Sequence, residues 1–208
     1  MMAGLILKEA KSRIWCLFAS VVLFEIVCYI QKSVENLEMS YYLFPIIMCG
    51  MLFHSETEIE LIKVSNTRLS TILLIRYGIT FLYTALYPAI RLMIDGGDYK
   101  SVISLVTTLL FSTSFSLFYR VLMKNPFSTI LCTVFTHTLL VLGFKVFLSS
   151  TLMISDIKTI QRLSPYFSQQ ITNPGLYNNN RFIVLGVCAA VLAASYIILW
   201  RREKFYIE

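Results

Sequence analysis

The sequence predicts an all-α polytopic integral membrane protein that crosses the bilayer six times. Of its 208 residues, 57% are hydrophobic and 14% are charged, whereas soluble domains are about 45–50% apolar and about 25% charged. The apolar residues form long blocks, and those over 101–119 and 182–200 contain no charged residue. A backbone in lipid must satisfy its own hydrogen bonds, and about 20 helical residues cross the hydrocarbon core, so these blocks are expected to be helices.

Six apolar stretches are predicted to be spans. The second is short unless it extends at one end, and the third contains Pro88, which is expected to break it. In chain order the predicted spans are 14–30, 40–53, 70–94, 101–123, 128–149 and 182–200. Because the sequence has no internal repeat and no low-complexity linker, residues 1–208 are predicted to form a single transmembrane domain.

The distribution of basic residues predicts the orientation. With both termini in the cytoplasm, eleven of the 18 Lys and Arg residues flank the inner ends of the spans, as the positive-inside rule requires. Trp15 and Trp200 then both lie at the inner interface, a layer that amphipathic indoles favour. The chain is therefore expected to be a multi-pass protein of the cell membrane.

The segments outside the spans have distinct characters. Residues 1–13 are expected to be a basic, amphipathic cytoplasmic N-terminus, and the D-G-G sequence at 95–97 predicts a turn, because glycine reaches positive φ easily. Residues 150–180 are expected to be an extracytoplasmic loop. Its first half has apolar residues at helical spacing, typical of an interfacial helix, whereas Pro165, 173–175 and 178–180 predict turns.

Residues 54–68 are predicted to form a short helix in the cytoplasm between spans two and three. Ser55 and Glu58 have capping-box spacing, and glutamates in a first turn suit the helix dipole. The following apolar residues recur at helical spacing. The helix could rest on the membrane surface, but anionic inner leaflets repel glutamate, so a protein partner explains the acidic residues better.

The same segment resembles the cytoplasmic coupling helix of type-2 ABC transporter permeases, through the pattern E-x-x-L-x-x-V-x-N-x-x-x-S at 58–70. The family's usual glycine and proline are absent here. The N-terminal ILKEAKSRIW is similar to the elbow that precedes the first span in that family, and RLSPY at 162–166 resembles the L-S-P-(F/Y) segment between the last two spans. Six spans, cytoplasmic termini and a final W-R-R agree with this resemblance.

The resemblance implies the permease subunit of an ATP-driven exporter, paired with an identical or different second permease subunit and with cytoplasmic ABC ATPase subunits. No G-x-x-x-x-G-K-[ST] phosphate loop occurs in this chain, so ATP and Mg²⁺ would be bound by the partner ATPase. A peptide, drug or lipid-like substrate would move by alternating access. The residues expected to couple to the ATPase are Glu56, Glu58, Glu60, Ile62 and Lys63.

Polar residues inside the spans are weaker candidates for a substrate path. Glu25 is expected either to form an ion pair with Arg91 or Lys145, the favoured interpretation, or to contact substrate. Helical spacing places four hydroxyl residues on one face, where they could serve packing or line a path; they are Ser104, Thr108, Ser112 and Ser116. His137 could relay protons or bind substrate, although packing is the commoner role of such a histidine.

The sequence predicts neither an enzyme nor a metal site. Its two histidines are far apart, no G-x-S-x-G elbow occurs, and the acidic run at 56–60 has no histidine at metal-ligand spacing. The basic residues lie at the ends of the apolar blocks and form no single patch. The expected partner is therefore the lipid bilayer and not a nucleic acid. The alternative function is a non-transporting membrane sensor, assembly or immunity protein that binds a cytoplasmic partner.

Overall fold

The computed structural model describes residues 2–30, 41–51, 69–96, 98–123, 125–149, 154–166 and 171–207. Every regular element in these residues is an α-helix, which confirms the all-α prediction. The helices are α1 (Met2–Ser12), α2 (Ile14–Ile30), α3 (Leu43–Gly50), α4 (Leu69–Ile94), α5 (Tyr99–Leu122), α6 (Pro126–Ser149), α7 (Ile154–Leu163) and α8 (Pro174–Ile207).

Four of these helices are long and apolar enough to cross a membrane. The stretches with this property are Ser70–Ile94, Tyr99–Leu122, Pro126–Val146 and Pro174–Arg201. Helices α1 and α2 meet at a 44° bend and provide a fifth candidate if they count as one span. Helix α3 has eight residues and rises only about 12 Å, which is too short to cross a bilayer. Residues 40, 52 and 53 of the predicted second span lie outside the described part, so the count of six spans stays a prediction.

Helix α5 occupies the centre of the bundle. In its apolar stretch 72% of the residues are buried inside the protein, against 17% for α6 and 22% for α8. Its apolar side chains join Phe24 of α2 in one core cluster, Leu73 of α4 in a second, and Val184 of α8 in a third. The outward faces of α6 and α8 therefore present large apolar side chains such as Phe135 and Phe182 on the surface.

Helix α4 continues through Pro88, so the predicted break at this residue is wrong. Proline lacks an N–H, which leaves the carbonyl four residues earlier, that of Thr84, without its helical donor. Two hydroxyls from other segments replace that donor: Ser20 Oγ lies 3.2 Å and Tyr41 Oη 3.1 Å from the Thr84 oxygen. All three residues are buried, and the helix tolerates the proline because its neighbours satisfy the freed carbonyl.

Two glycines occupy positions that a side chain would disturb. Gly96 adopts φ 74° in the turn between α4 and α5, which confirms the predicted D-G-G turn. Gly50 ends α3 against α6, and a Cβ at this position would lie 2.6 Å from Cγ1 of Ile130. The short α3 can therefore approach α6 closely only because residue 50 has no side chain.

The region predicted as the loop 150–180 contains two helical segments. Helix α7 confirms the helix predicted in its first half. The turn predicted at 178–180 is wrong, because α8 already begins at Pro174. The Asn173 side chain accepts a hydrogen bond from the Leu176 N–H at 3.2 Å, and proline suits the first helical position, so the sequence N-P-G starts this helix where a turn was expected.

Candidate functional site

The predicted hydroxyl face of α5 is completely buried, and its four residues face different neighbours. Ser104 Oγ lies 3.0 Å from Tyr177 Oη, Thr108 Oγ1 donates to the Pro165 carbonyl at 3.0 Å, and Ser116 Oγ donates to the Ile46 carbonyl at 3.1 Å. Ser112 Oγ donates within α5, to the Leu109 carbonyl at 3.0 Å. These contacts connect α5 to α8, to the segment after α7 and to α3, as the packing interpretation requires.

His137 lies beside this hydroxyl face, on α6, with no exposed surface. Its Nδ1 shares a hydrogen bond with the hydroxyl of Tyr166. The imidazole is surrounded by aromatic rings whose centroids lie 5.5–6.2 Å from its own, those of Tyr42, Phe111, Phe115 and Tyr166. We call Ser104, Thr108, Ser112, Ser116, His137 and Tyr166 together the polar seam.

Residues 164–166, which follow α7, cover one side of the polar seam. The two N–H groups of the Asn180 side chain lie 2.7–3.0 Å from three carbonyl oxygens, those of Gln161, Arg162 and Ser164. Asn180 has no exposed surface. A single amide on α8 therefore fixes the end of α7, because moving it away would leave several buried polar groups unpaired at once.

Arg181 reinforces this contact from the next position on α8. It is 4% exposed, and its Nη1 donates to Thr107 Oγ1 at 2.7 Å while its Nε donates to Asn180 Oδ1 at 2.8 Å. The same guanidinium lies over the Tyr177 ring, 5.9 Å from its centroid. Arg181 thus holds α5, α8 and the Asn180 amide in one arrangement.

Glu25 lies apart from the polar seam and forms the predicted ion pair with Arg91, whose Nε is 3.2 Å from Glu25 Oε1. Tyr87 donates a further hydrogen bond to this carboxylate, and Arg91 also pairs with Asp95. The Glu25 and Arg91 side chains are 43% and 37% exposed. The network therefore connects the ends of α2 and α4 at the surface of the protein.

A second ion pair, between α1 and the beginning of α4, is buried. Arg76 Nη2 on α4 lies 3.0 Å from Glu9 Oε1 on α1, and the two side chains are only 9% and 8% exposed. Arg13 contributes another cation 3.5 Å from Glu9 Oε2. Tyr83 also donates to the Ala10 carbonyl at 3.2 Å. These contacts hold α1 against α4.

The residues predicted to couple to an ATPase lie outside the described part of the structure, because they all belong to 52–68. The structure does show where this segment must connect. Gly50 at the end of α3 lies against Ile130, and α4 begins at Leu69, two turns before Arg76. The predicted helix 54–68 is therefore joined directly to the helix that carries the buried ion pair.

Sequence reasoning missed Glu9, Arg76, Asn180 and Arg181. Arg76 and Arg181 counted only toward the orientation of the spans, since a cation near the end of an apolar block is ordinarily a headgroup anchor. Asn180 belonged to an Asn run typical of a turn. The contacts of Glu9 with Arg76, of Asn180 with 161–164 and of Arg181 with Thr107 join different elements. No local spacing in the sequence indicates such a pairing.

Within the ranges that the structure describes, no three His, Cys, Asp or Glu side chains are grouped as a metal site requires. Comparison with known proteins returned no match to a family model, to a curated protein or to a solved structure.

Proposed function

We propose that this chain is the permease subunit of an ATP-driven exporter, with six spans, both termini in the cytoplasm and a coupling helix at 54–68 that binds a separate ATPase. In this proposal α1 is the elbow, α3 belongs to the second span, and α7 is the extracytoplasmic helix before the last span. The support is the order of these elements together with the sequence patterns at 58–70 and 162–166.

The observation that carries the proposal is the buried contact between Glu9 and Arg76. A helix at 54–68 that is pushed by an ATPase would move the start of α4, to which it is joined. Because breaking a buried ion pair is strongly unfavourable, α1 would follow α4 as one body. The ion pair thus supplies a route by which a cytoplasmic displacement reaches α1 and α2 as well as α4.

One observation favours the second candidate function, a membrane protein that binds a cytoplasmic partner without transport. The polar seam is buried against protein, and its hydroxyls bond to neighbouring segments. For transport, α5 would have to separate from α8 or α3 and exchange these hydrogen bonds for contacts with substrate. A non-transporting protein would keep them permanently.

The test is co-purification of the tagged chain from its native membrane, followed by identification of any partner that contains an ATP-binding phosphate loop. We expect an ATPase to accompany the native chain. Changing Glu56→Lys, Glu58→Lys and Glu60→Lys together should abolish this association, because it reverses the charge of the proposed contact surface. Retention of the ATPase by this variant would refute the coupling assignment.

The matched control makes the same change in charge on the predicted outer side of the membrane, with the substitutions Glu35→Lys, Glu38→Lys and Asp98→Lys. We expect this variant to retain the ATPase at the native ratio. Loss from both variants would show a general effect of charge and would count against a specific contact at 54–68. A native chain that purifies without an ATPase and binds a different cytoplasmic protein would favour the second candidate function.

A further inference from the structure

A cavity of about 340 Å³ that is open to the surface lies between helix α7 and the first turns of α8, and none of the residues of the polar seam line it. One wall is a single face of α7, since Lys158, Gln161 and Arg162 are spaced three and four residues apart. The opposite wall comes from α8 and the residues before it, and its polar members are Thr172, Asn173 and Asn179.

The lining is suited to an anion. It combines an ammonium from Lys158 and a guanidinium from Arg162 with the side-chain amide of Gln161 and the hydroxyl of Thr172, and no Asp or Glu is among the described residues that line it. Guanidinium presents a planar fork of N–H donors that matches phosphate oxygens, and lysine adds a compact positive charge. Two cations with neutral donors around them provide a site for a phosphate group.

The walls of the cavity are held at a fixed separation. The Asn180 side chain donates to the carbonyls of Gln161 and Arg162, which belong to the α7 wall. Asn180 itself lies one residue beyond Asn179 on the α8 wall. Because this amide is fully buried, its hydrogen bonds join the α7 wall firmly to the α8 wall.

The position of the cavity along α8 places it beside a source of phosphate. The stretch of α8 that is able to cross a membrane begins at Pro174, which lies between two residues of the cavity wall, Asn173 and Gly175. Phe182, about two turns further on, is 73% exposed on the surface that would face lipid. Where this stretch of α8 spans the bilayer, the cavity lies at the level of the lipid headgroups.

We propose that this cavity binds a phosphate group, carried by an anionic phospholipid at the membrane surface or present as a free anion. The proposal needs a helical membrane protein but does not depend on transport or on an ATPase. It assigns a role to Lys158 and Arg162, whose side chains are exposed.

The experiment measures binding to the detergent-purified full chain by calorimetry with three probes: short-chain phosphatidic acid, the corresponding diacylglycerol without phosphate, and inorganic phosphate. We expect phosphatidic acid to bind and diacylglycerol not to bind. Changing Lys158→Gln and Arg162→Gln together should weaken binding roughly thirty-fold, since each cation near a phosphate surface contributes about a five- to sixfold factor.

Three variants separate a built site from general attraction. Lys8→Gln with Lys11→Gln removes the same charge from exposed positions on α1, and should leave binding unchanged. Thr172→Trp fills the cavity while both cations remain, and should abolish binding. Lys158→Arg with Arg162→Lys keeps the charge and should retain binding within a few-fold. The filling variant also keeps the test valid if removal of both cations impairs folding.

The probes distinguish the two sources of phosphate. Binding of phosphatidic acid and of inorganic phosphate, both lost on filling the cavity, would support the site with a free anion as a sufficient ligand. Cavity-dependent binding of phosphatidic acid alone would support it with the lipid as the source. The proposal is overturned if neither phosphate probe binds, if diacylglycerol binds equally well, or if the Lys8 and Lys11 variant loses as much affinity as the Lys158 and Arg162 variant.

Discussion

The hydroxyls of Ser20 and Tyr41, which lie against the Thr84 carbonyl, should stabilise the fold through this carbonyl only while residue 88 is proline. Removing both donors, by Ser20→Ala with Tyr41→Phe, leaves a buried carbonyl without a hydrogen bond, which costs about 1–3 kcal/mol. In a Pro88→Ala background the backbone N–H of residue 88 can donate to the same carbonyl. The double substitution should then cost at least about 1 kcal/mol less than in the native chain.

The assay is a set of free energies of unfolding, measured in mixed micelles by denaturant titration for the four corners of this cycle. In a chain of 208 residues, a change of 1 kcal/mol shifts the melting temperature by about 2–4 °C, so thermal melting gives a parallel reading. Ser116→Ala is the control, because Ser116 donates to the Ile46 carbonyl and not to Thr84. Ser116→Ala should lower the free energy of unfolding by the same amount whether residue 88 is proline or alanine.

A coupling below about 0.5 kcal/mol, the ordinary error of additivity, would refute this reasoning. It would mean that the Thr84 carbonyl is satisfied in some other way, or that the two hydroxyls stabilise the bundle only through their contact with each other, at 2.7 Å. An equal response of the Ser116 control would show instead that the Pro88→Ala background changes the bundle generally.

Two further predictions concern stability. Glu9→Gln should lower the free energy of unfolding by about 3 kcal/mol, because it leaves the buried Arg76 without its carboxylate partner. Glu25→Gln should lower it by less than about 1 kcal/mol, because both side chains of that ion pair are more than a third exposed. Equal effects in the same unfolding assay would contradict the difference in burial between the two pairs. Gly50→Ala should lower the free energy of unfolding by about 1–3 kcal/mol, because the added methyl group overpacks α3 against α6. Gly143→Ala is the control and should be neutral or slightly stabilising, because its methyl group would meet no atom within 4 Å. A neutral Gly50→Ala would show that the helices separate easily.

The composition and the apolar blocks were sufficient to predict the helical class and most helix positions. The predicted first span, 14–30, coincides with α2, and the predicted third span differs from α4 by one residue at its start. Both errors within the helices came from local rules that tertiary structure overrides. Pro88 is tolerated because Ser20 and Tyr41 supply the missing donors, and the Asn run at 178–180 is helical because Asn173 and Pro174 begin α8 earlier.

The candidate site could be predicted only in part. Periodicity placed the hydroxyl residues of α5 on one face, and the buried position of this face agrees with it. Charge and depth suggested Arg91 or Lys145 as the partner of Glu25, and Arg91 is the partner in the structure. The contacts that hold the segment after α7, and the pair of Glu9 with Arg76, join residues between 16 and 67 positions apart. Such pairings depend on how the helices pack, and a local pattern contains no information about them.

Crosslinking from residue 62 identifies what the predicted coupling helix contacts in the cell. A photo-crosslinking amino acid at Ile62, activated in intact cells, should join this chain to a protein with an ATP-binding phosphate loop. The same probe at Tyr29 should not join the chain to an ATPase. Tyr29 is 87% exposed and lies at the end of α2 that is predicted to face the outside of the cell. If residues 54–68 bind an ATPase, an ATPase adduct forms from position 62 and not from position 29. An ATPase adduct from position 29, or adducts from position 62 that contain only lipid or a protein without a phosphate loop, would contradict it.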